Sequence, residues 1–149
     1  MMNKDIPDIH TLLQNISWYF GNQGFDGECC EDLSLVEYMV LKKTHDEQNI
    51  TIQELGVSLN ITKSGISKIV DRLEKKLYVS RHQSSSDGRV CCVLPTEKGN
   101  NAIHKISNHY SEYLQGILGE ADEASLQNIK KTLELLYKAI QDKGFIKSN

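Results

Sequence analysis

The chain has 149 residues, a formal net charge of −3 and 39% hydrophobic residues. This length suits one compact domain with its own core, so residues 1–149 are treated as a single domain. The acidic balance excludes general electrostatic adhesion to nucleic acid, so DNA contact would need a local basic patch. No apolar run reaches the ~18 residues of a membrane span, and the N-terminus lacks the apolar stretch of a signal peptide. Both observations predict a cytoplasmic protein with no membrane partner.

The first two elements are predicted from helical periodicity. Residues 8–20 carry apolar side chains at helical spacing. The stretch GNQGFDGECC contains three glycines and predicts a loop. A second helical pattern then covers residues 32–44.

Capping residues define the next two helices. Thr51 and Glu54 have the capping-box spacing at the start of a short helix that ends at Leu59. Thr62 is the expected N-cap of a further helix that runs to about Lys76. The sequence therefore predicts two helices joined by a tight turn.

A hairpin and two long helices complete the chain. The β-prone runs LYVSRHQ and RVCCVL are separated by SSSDG, which predicts a hairpin, and Pro95 ends the second strand. A long helix is expected from Glu97 to about Leu118, followed by a last helix after GEADEAS. Apolar residues alternate in steps of three and four along that last helix, a pattern that suits an internal core face or packing between chains. They are Leu126, Ile129, Leu133, Leu136 and Ile140.

The order helix, turn, helix, hairpin predicts a winged helix-turn-helix. The fold class is thus mainly α with a small β-hairpin wing. We expect residues 32–96 to form a DNA-binding lobe, and residues 1–28 and 97–149, with their apolar helical stripes, to form a helical dimerisation lobe. The stretch TKSGISK offers small and polar side chains at a helix start, as a helix in the major groove requires. The predicted DNA-binding residues are Thr62, Lys63, Ser64, Gly65, Ser67, Lys68, Arg72, Arg81, Asp87 and Arg89.

Charge and position support this assignment. Seven basic and three acidic residues lie between Asn60 and Arg89, a local net charge of +4 in a chain of −3. Arg89 follows the hairpin turn, from which an arginine can reach a minor groove or a phosphate. Asp87 is expected to orient Arg89 by a charge-assisted hydrogen bond.

The stretch ITIQELGVSLNITKSGISKIVDRLEKKLYVSRHQSSSDGRVCCVLPTEKG resembles the core of the MarR (multiple antibiotic resistance regulator) family, most closely over SKIVDRLEKK, DGR and TEKG. The resemblance implies a homodimeric winged-helix transcription factor, usually a repressor, whose first, fifth and sixth helices build the dimer. It also implies that the helix from Thr62 reads the major groove and that the wing around Arg89 reads the minor groove. Two residues depart from the family pattern. Leu77 replaces a glycine that often ends the helix, and Pro95 replaces a leucine, which is expected to shorten the second wing strand.

The four cysteines form two adjacent pairs, Cys29-Cys30 and Cys91-Cys92. Neither pair has the Cys-x-x-Cys spacing of a zinc ribbon or a thioredoxin motif. Three interpretations remain: small buried hydrophobes, a thiolate site for a thiophilic metal such as zinc or copper(I), or a redox switch. Because successive side chains of a strand alternate, only one of Cys91 and Cys92 can face the interior.

The resemblance favours the last two interpretations, because some family members bind zinc through a cysteine between the first two helices and others sense oxidants. Glu37 and His104 are the further metal or redox candidates that we include with the cysteines. Glu28, Glu31 and His109 are additional ligand candidates, although His104 and His109 are too far apart around a helix to share one ion. No cofactor is required in this interpretation, and a metal ion would act as an effector.

Three alternatives remain open. The same repressor can respond to an organic, phenolic or drug-like ligand held between the lobes. A winged helix can serve as a protein-interaction module without binding DNA. A cysteine hydrolase would need an activated thiol facing a cleft, and because the common hydrolase and phosphate-loop motifs are absent we predict no enzyme.

Overall fold

The computed structural model describes residues 1–22, 32–84 and 88–144. Within these ranges the chain is mainly helical with one antiparallel hairpin, so the predicted fold class is confirmed. The loop predicted between the first two helices falls almost entirely on residues 23–31, outside the described part. The elements are α1 (Ile6–Asn22), α2 (Leu35–Asp46), α3 (Ile52–Leu59), α4 (Lys63–Lys75), β1 (Val79–Gln83), β2 (Cys91–Pro95), α5 (Glu97–Leu118) and α6 (Glu123–Lys143).

The chain forms two compact units, Met1–Tyr110 and Ser111–Asn149. The first unit contains α1 to α4, both strands and α5 as far as Tyr110. The second contains the rest of α5 and α6.

The core of the first unit lies among α2, α3, α4, the hairpin and the first half of α5. Apolar side chains from each of these elements are fully buried, and removing one such side chain from water contributes roughly 1.5–3 kcal/mol. The largest are Tyr78, Leu41, Leu55, Ile66 and Leu73.

Local capping fixes the turn between α3 and α4. Thr51 and Glu54 form the predicted capping box at the start of α3. Asn60 ends α3 in the left-handed conformation with φ of 53°, which asparagine tolerates better than most residues. Thr62 then caps α4 by accepting a hydrogen bond from the Gly65 N–H at 3.1 Å. The predicted caps are therefore confirmed.

The end of α4 has a Schellman geometry despite the missing glycine. The N–H of Tyr78 donates to the Leu73 carbonyl at 2.9 Å, and the N–H of Leu77 donates to the Glu74 carbonyl at 3.0 Å. Leu77 adopts a φ of 68°, the left-handed region in which a side chain is strained. The helix end therefore has the geometry that a glycine commonly adopts at this position, although the residue is leucine.

The hairpin pairs Val79 with Pro95 at one end and Gln83 with Cys91 at the other. Pro95 is the last residue of β2, which has the same five-residue length as β1, so the expected shortening is not observed. The segment before α3 adds a contact that the sequence did not predict. The Val93 N–H donates to the Ile50 carbonyl at 3.0 Å, beside a bridge between Thr51 and Cys92.

The TEKG motif joins α4, the wing and α5. Thr96 Oγ1 accepts a hydrogen bond from the Gly99 N–H at 3.1 Å at the start of α5. Lys98 Nζ donates a hydrogen bond to the Lys76 carbonyl at 2.7 Å and lies over the Tyr78 ring. A Cβ on Gly99 would stand 2.2 Å from the Tyr78 carbonyl oxygen, so only glycine fits this close approach.

The terminal helices carry exposed apolar side chains. In α1, Leu12 and Ile16 are exposed, and Phe20 stacks on Tyr110 of α5 at a ring-centroid distance of 4.8 Å. In the second unit α6 has no buried residue, and Leu133 is 54% exposed. None of the helices in the described ranges is both long enough and apolar enough to cross a membrane.

Candidate nucleic-acid interface

One face of α4 is buried and the opposite face is polar. Ile66, Ile69, Val70 and Leu73 are buried. Residues four apart on a helix share a face, so the exposed residues form a continuous ridge along the helix. This ridge consists of Ser64, Lys68 and Arg72, and all three are exposed.

The first turn of α4 combines small size with hydrogen-bonding groups. Thr62 and Lys63 are exposed at the helix start. A Cβ on Gly65 would lie 3.0 Å from both Thr62 Oγ1 and the Ile61 side chain, so this glycine also preserves the cap. Ser67 is half-buried one turn later. Such small, polar residues allow a helix end to approach base edges.

The wing stands beside this helix start. The Ser84 N–H donates to the Val90 carbonyl at 2.8 Å and extends the hairpin beyond the strands. Arg89 is exposed near the tip. Arg89 and Lys63 line the same groove of about 800 Å³, together with the first turn of α3 and Cys91. Asp87, predicted to orient Arg89, lies outside the described residues.

Arg81 has acidic partners on α4. Its guanidinium forms ion pairs with Asp71 and with Glu74, the latter at 3.2 Å, and its backbone N–H also donates to Glu74. The hydrogen bond to Asp71 is the main cause that raises the pKa of Arg81 above its ordinary value, against the opposing effect of burial. These contacts tie β1 to α4, so the structure gives this predicted DNA contact an intramolecular role.

Glu37, a predicted metal ligand, is instead surrounded by cations. It is only 4% exposed and accepts hydrogen bonds from Arg72 Nε at 3.0 Å and Lys76 Nζ at 2.8 Å. It also completes the capping box of α2 with Ser34. Burial raises the pKa of Glu37, but the hydrogen bonds from Lys76, Arg72 and Ser34 outweigh it and hold that pKa below its ordinary value. The charge therefore stabilises the packing of α2 on α4.

Ion pairs within the chain leave fewer unpaired basic side chains than the local net charge of +4 suggested. Arg72, Lys76 and Arg81 each contact carboxylates, whereas Lys63 and Lys68 form no ion pair within the described part of the chain. The sequence alone does not show which basic residues form ion pairs, because some of the partner carboxylates lie on distant segments that are brought close only by folding.

The two wing cysteines differ in exposure. Cys92 is buried and Cys91 is half-buried, and both are free thiols, which confirms that only one of them faces the interior. Cys29 and Cys30, like Glu28 and Glu31, lie outside the described residues.

His104, a predicted metal or redox residue, lies beside another histidine. The His104 ring lies edge-on to His45 of α2 at a centroid distance of 5.6 Å, and His45 Nδ1 is 2.8 Å from Asn100 Oδ1. The sequence analysis did not include His45 among the candidate ligands, although the sequence places it near the end of α2. Across residues 1–22, 32–84 and 88–144 no three histidine, cysteine or acidic side chains are grouped to hold a metal ion.

Comparisons of the sequence point to one family. A family model described as MarR family matches residues 33–91. The uncharacterized HTH-type transcriptional regulator YhbI of Bacillus subtilis is 25% identical over 100 residues, which is 67% of this chain and 65% of that protein. The HTH-type transcriptional regulator SarZ of Staphylococcus saprophyticus is 29% identical over 103 residues, 69% of each chain. The matched region thus spans slightly less than two thirds of the first relative and slightly more of the second.

Solved structures agree on the fold. The chain is similar to Streptococcus pneumoniae FabT in complex with DNA, with a TM-score of 0.79, 21% identity, and coverage of 93% of this chain and 97% of that chain. A MarR family protein from Bacillus stearothermophilus gives a TM-score of 0.81 at 19% identity, covering 95% of this chain and 99% of that chain. The family model covers less than half of the chain, so the comparisons show that this chain is similar to the MarR family and to HTH-type transcriptional regulators, and that it has the fold of the MarR family protein from Bacillus stearothermophilus.

Proposed function

We propose that the chain is a sequence-specific DNA-binding repressor that acts as a homodimer on a palindromic operator in the cytoplasm. The observation that carries this proposal is the exposed ridge of Ser64, Lys68 and Arg72 on a helix whose opposite face is buried. The FabT neighbour is described in complex with DNA, which supports a DNA-binding use of the same fold here.

The residues at the start of α4 have distinct roles in this proposal. Ser64, Ser67 and Lys68 contact base edges in the major groove, where donors and acceptors distinguish the base pairs. Thr62 and Lys63 contact phosphates, which set the register of the helix. Gly65 keeps the helix start narrow.

The wing supplies a second contact. Arg89 reaches the minor groove or a phosphate beside α4, and Asp87 orients it. The shared groove between Lys63 and Arg89 supports this arrangement, because both cations border the same depression. Arg81 acts indirectly by holding β1 on α4.

A second copy of the chain covers the exposed apolar stripes of α1 and α6. A dimer of this kind presents two recognition helices about 34 Å apart, one DNA turn. Binding by one half-site alone would lack the affinity that two linked sites provide.

We further propose that the cysteine pairs respond to an effector, either a thiophilic metal such as zinc or an oxidant. The position of Cys91 supports this, because it lines the groove that also holds Lys63 and Arg89. Serine replacement of each pair, followed by operator binding with zinc, copper(I), arsenite and peroxide, tests the response. A wild-type complex that ignores all four reagents would leave an organic ligand as the effector.

The central experiment compares wild type with Arg89→Ala on a duplex selected by the wild type from a random library. Loss of one phosphate contact should lower the slope of log K against log salt by about 1 and weaken binding without changing the fold. Lys131→Ala on α6 is the matched control, because it removes an exposed cation far along the sequence from the wing. Equal affinities and slopes for Arg89→Ala and wild type would show that the wing does not touch DNA.

A further inference from the structure

A buried carboxylate holds the C-terminal half of α4 through two cations. Glu37 Oε1 accepts from Arg72 Nε at 3.0 Å, and Glu37 Oε2 accepts from Lys76 Nζ at 2.8 Å. Ser34 donates its backbone N–H to Oε2 at 3.3 Å. Lys76 also donates to the Asp32 carbonyl, so it is anchored in the segment before α2. The two cations lie one helical turn apart, and their shared acceptor fixes the position of α4 along α2.

Only one edge of the Arg72 guanidinium is engaged. Its side chain is 52% exposed, and its terminal nitrogens make no hydrogen bond or ion pair within the described residues. A guanidinium carries five donors in a planar fork, so Nε can bind one anion while the terminal nitrogens bind another. Arg72 also continues the exposed ridge that begins at Ser64 and includes Lys68.

We propose that Glu37 is a positioning residue for DNA binding, which holds Arg72 by Nε so that its terminal nitrogens meet a backbone phosphate beside the major groove. The proposal rests on the proposed DNA-binding function. An arginine fixed in advance loses less conformational freedom on binding than one that must be ordered by the phosphate. The same contact gives α4 a fixed register on the duplex, because phosphate contacts position a helix whereas base contacts specify sequence.

The direction in which one substitution changes the DNA affinity distinguishes this proposal from a general electrostatic attraction. Glu37→Gln makes the protein more positive by one charge, so a general attraction to DNA would increase the affinity. Under the positioning proposal the affinity falls, because Arg72 loses its charged anchor. Glutamine still serves at the third position of a capping box, so the start of α2 is preserved.

The experiment measures binding of a labelled duplex by fluorescence anisotropy over a range of KCl concentrations. The duplex has roughly 30 base pairs, about three DNA turns, and is selected by the wild-type protein from a random library. We expect Glu37→Gln to bind about tenfold more weakly, and the slope of log K against log salt to fall by about 0.9, one phosphate contact. Asp46→Asn is the matched control: it makes the same charge change on α2, at an exposed carboxylate paired with Lys42. It should bind at least as tightly as wild type.

Coupling between the two residues provides a readout that a purely structural role would not give. If Glu37 acts through Arg72, adding Glu37→Gln to Arg72→Gln causes no further loss of affinity. Independent losses that add would overturn the proposal. Circular dichroism establishes that each variant is folded at the temperature of the binding assay.

Arg72→Lys provides a second test of the proposal if Glu37→Gln does not fold. Lysine retains the charge but cannot bind Glu37 through one nitrogen while offering others to a phosphate. We expect it to bind several-fold more weakly, and wild-type affinity for Arg72→Lys would overturn the proposal. A wild-type protein that selects no duplex would overturn the DNA-binding function and this proposal together. Wild-type binding with an unweakened Glu37→Gln would overturn the positioning role alone.

Discussion

The winged helix and the terminal helices place their apolar side chains in opposite environments. On α4, Leu73 is 0% exposed, whereas on α6 Leu135 is 73% exposed and Leu133 is 54% exposed. Both helices are amphipathic by sequence, so amphipathicity alone does not tell which apolar face is covered within one chain. The winged helix completes its core with its own residues. The apolar stripe of α6 is left for a partner, which we propose is a second copy of the chain.

The largest effect should come from removing a core side chain of the winged helix. Leu73→Ala should lower the free energy of unfolding by about 2–5 kcal/mol, because it removes buried apolar surface and leaves a cavity. Leu135→Ala, the same change on α6, should alter it by less than about 0.5 kcal/mol. Urea denaturation followed by circular dichroism measures both. Equal losses would mean that Leu135 is buried in solution as completely as Leu73.

The next effect concerns assembly rather than folding. Leu133→Glu places a charge in the middle of the apolar stripe of α6, where a second copy would have to bury it unpaired. We expect light scattering to report twice the chain mass of 16.9 kDa for wild type and a shift toward the single-chain mass for the variant. Leu135→Glu tests whether the effect is confined to the stripe. A wild type that is monomeric at micromolar concentration contradicts the proposed dimer.

Acid should weaken the winged helix through its buried carboxylate. The pKa of Glu37 is held below its ordinary value of 4.5 in the folded chain, despite burial, by Lys76, Arg72 and Ser34. Its contribution to stability is therefore present above about pH 4.5 and is lost as the pH falls through the lower, folded-state pKa.

Urea denaturation from about pH 6 to about pH 3 should thus show a smaller loss of stability for Glu37→Gln than for wild type. Part of the acid dependence should remain in the variant, because the hydrogen bond from Tyr78 lowers the pKa of Asp32 in the same way. Asp46→Asn serves as the exposed control. Identical acid profiles for wild type and Glu37→Gln would mean that the carboxylate contributes nothing to folding.

The smallest expected effect is an increase in the free energy of unfolding. Leu77 has a φ of 68° and an exposed side chain, so it carries backbone strain without much burial in return. Leu77→Gly should raise the free energy of unfolding by about 0.5–1 kcal/mol, since glycine adopts this conformation without steric cost. Thermal denaturation measures the change. A lower melting temperature would show that the leucine side chain has a packing role that outweighs the strain.

Much of the helical layout could be predicted because its signals are local. Thr51, Thr62 and Glu54 act on backbone groups three residues away, and such short-range hydrogen bonds are visible in the sequence. The extent of α5 could also be predicted, because its apolar residues recur at helical spacing along the sequence. The pairing of β1 with β2 follows from a short turn between two β-prone runs.

The partners of the charged side chains were decided by the tertiary structure. Arg72 and Arg81 looked alike as basic residues near α4, yet the first binds a carboxylate 35 residues away and the second bridges β1 to α4. Glu37 looked like a metal ligand because the sequence shows the type of a side chain but not what packs around it. The contact of Val93 with Ile50 was hidden for the same reason. Local hydrogen bonds determine where the helices begin and end, whereas the burial of a charge and the choice of its partner depend on which distant segments the folded core brings together.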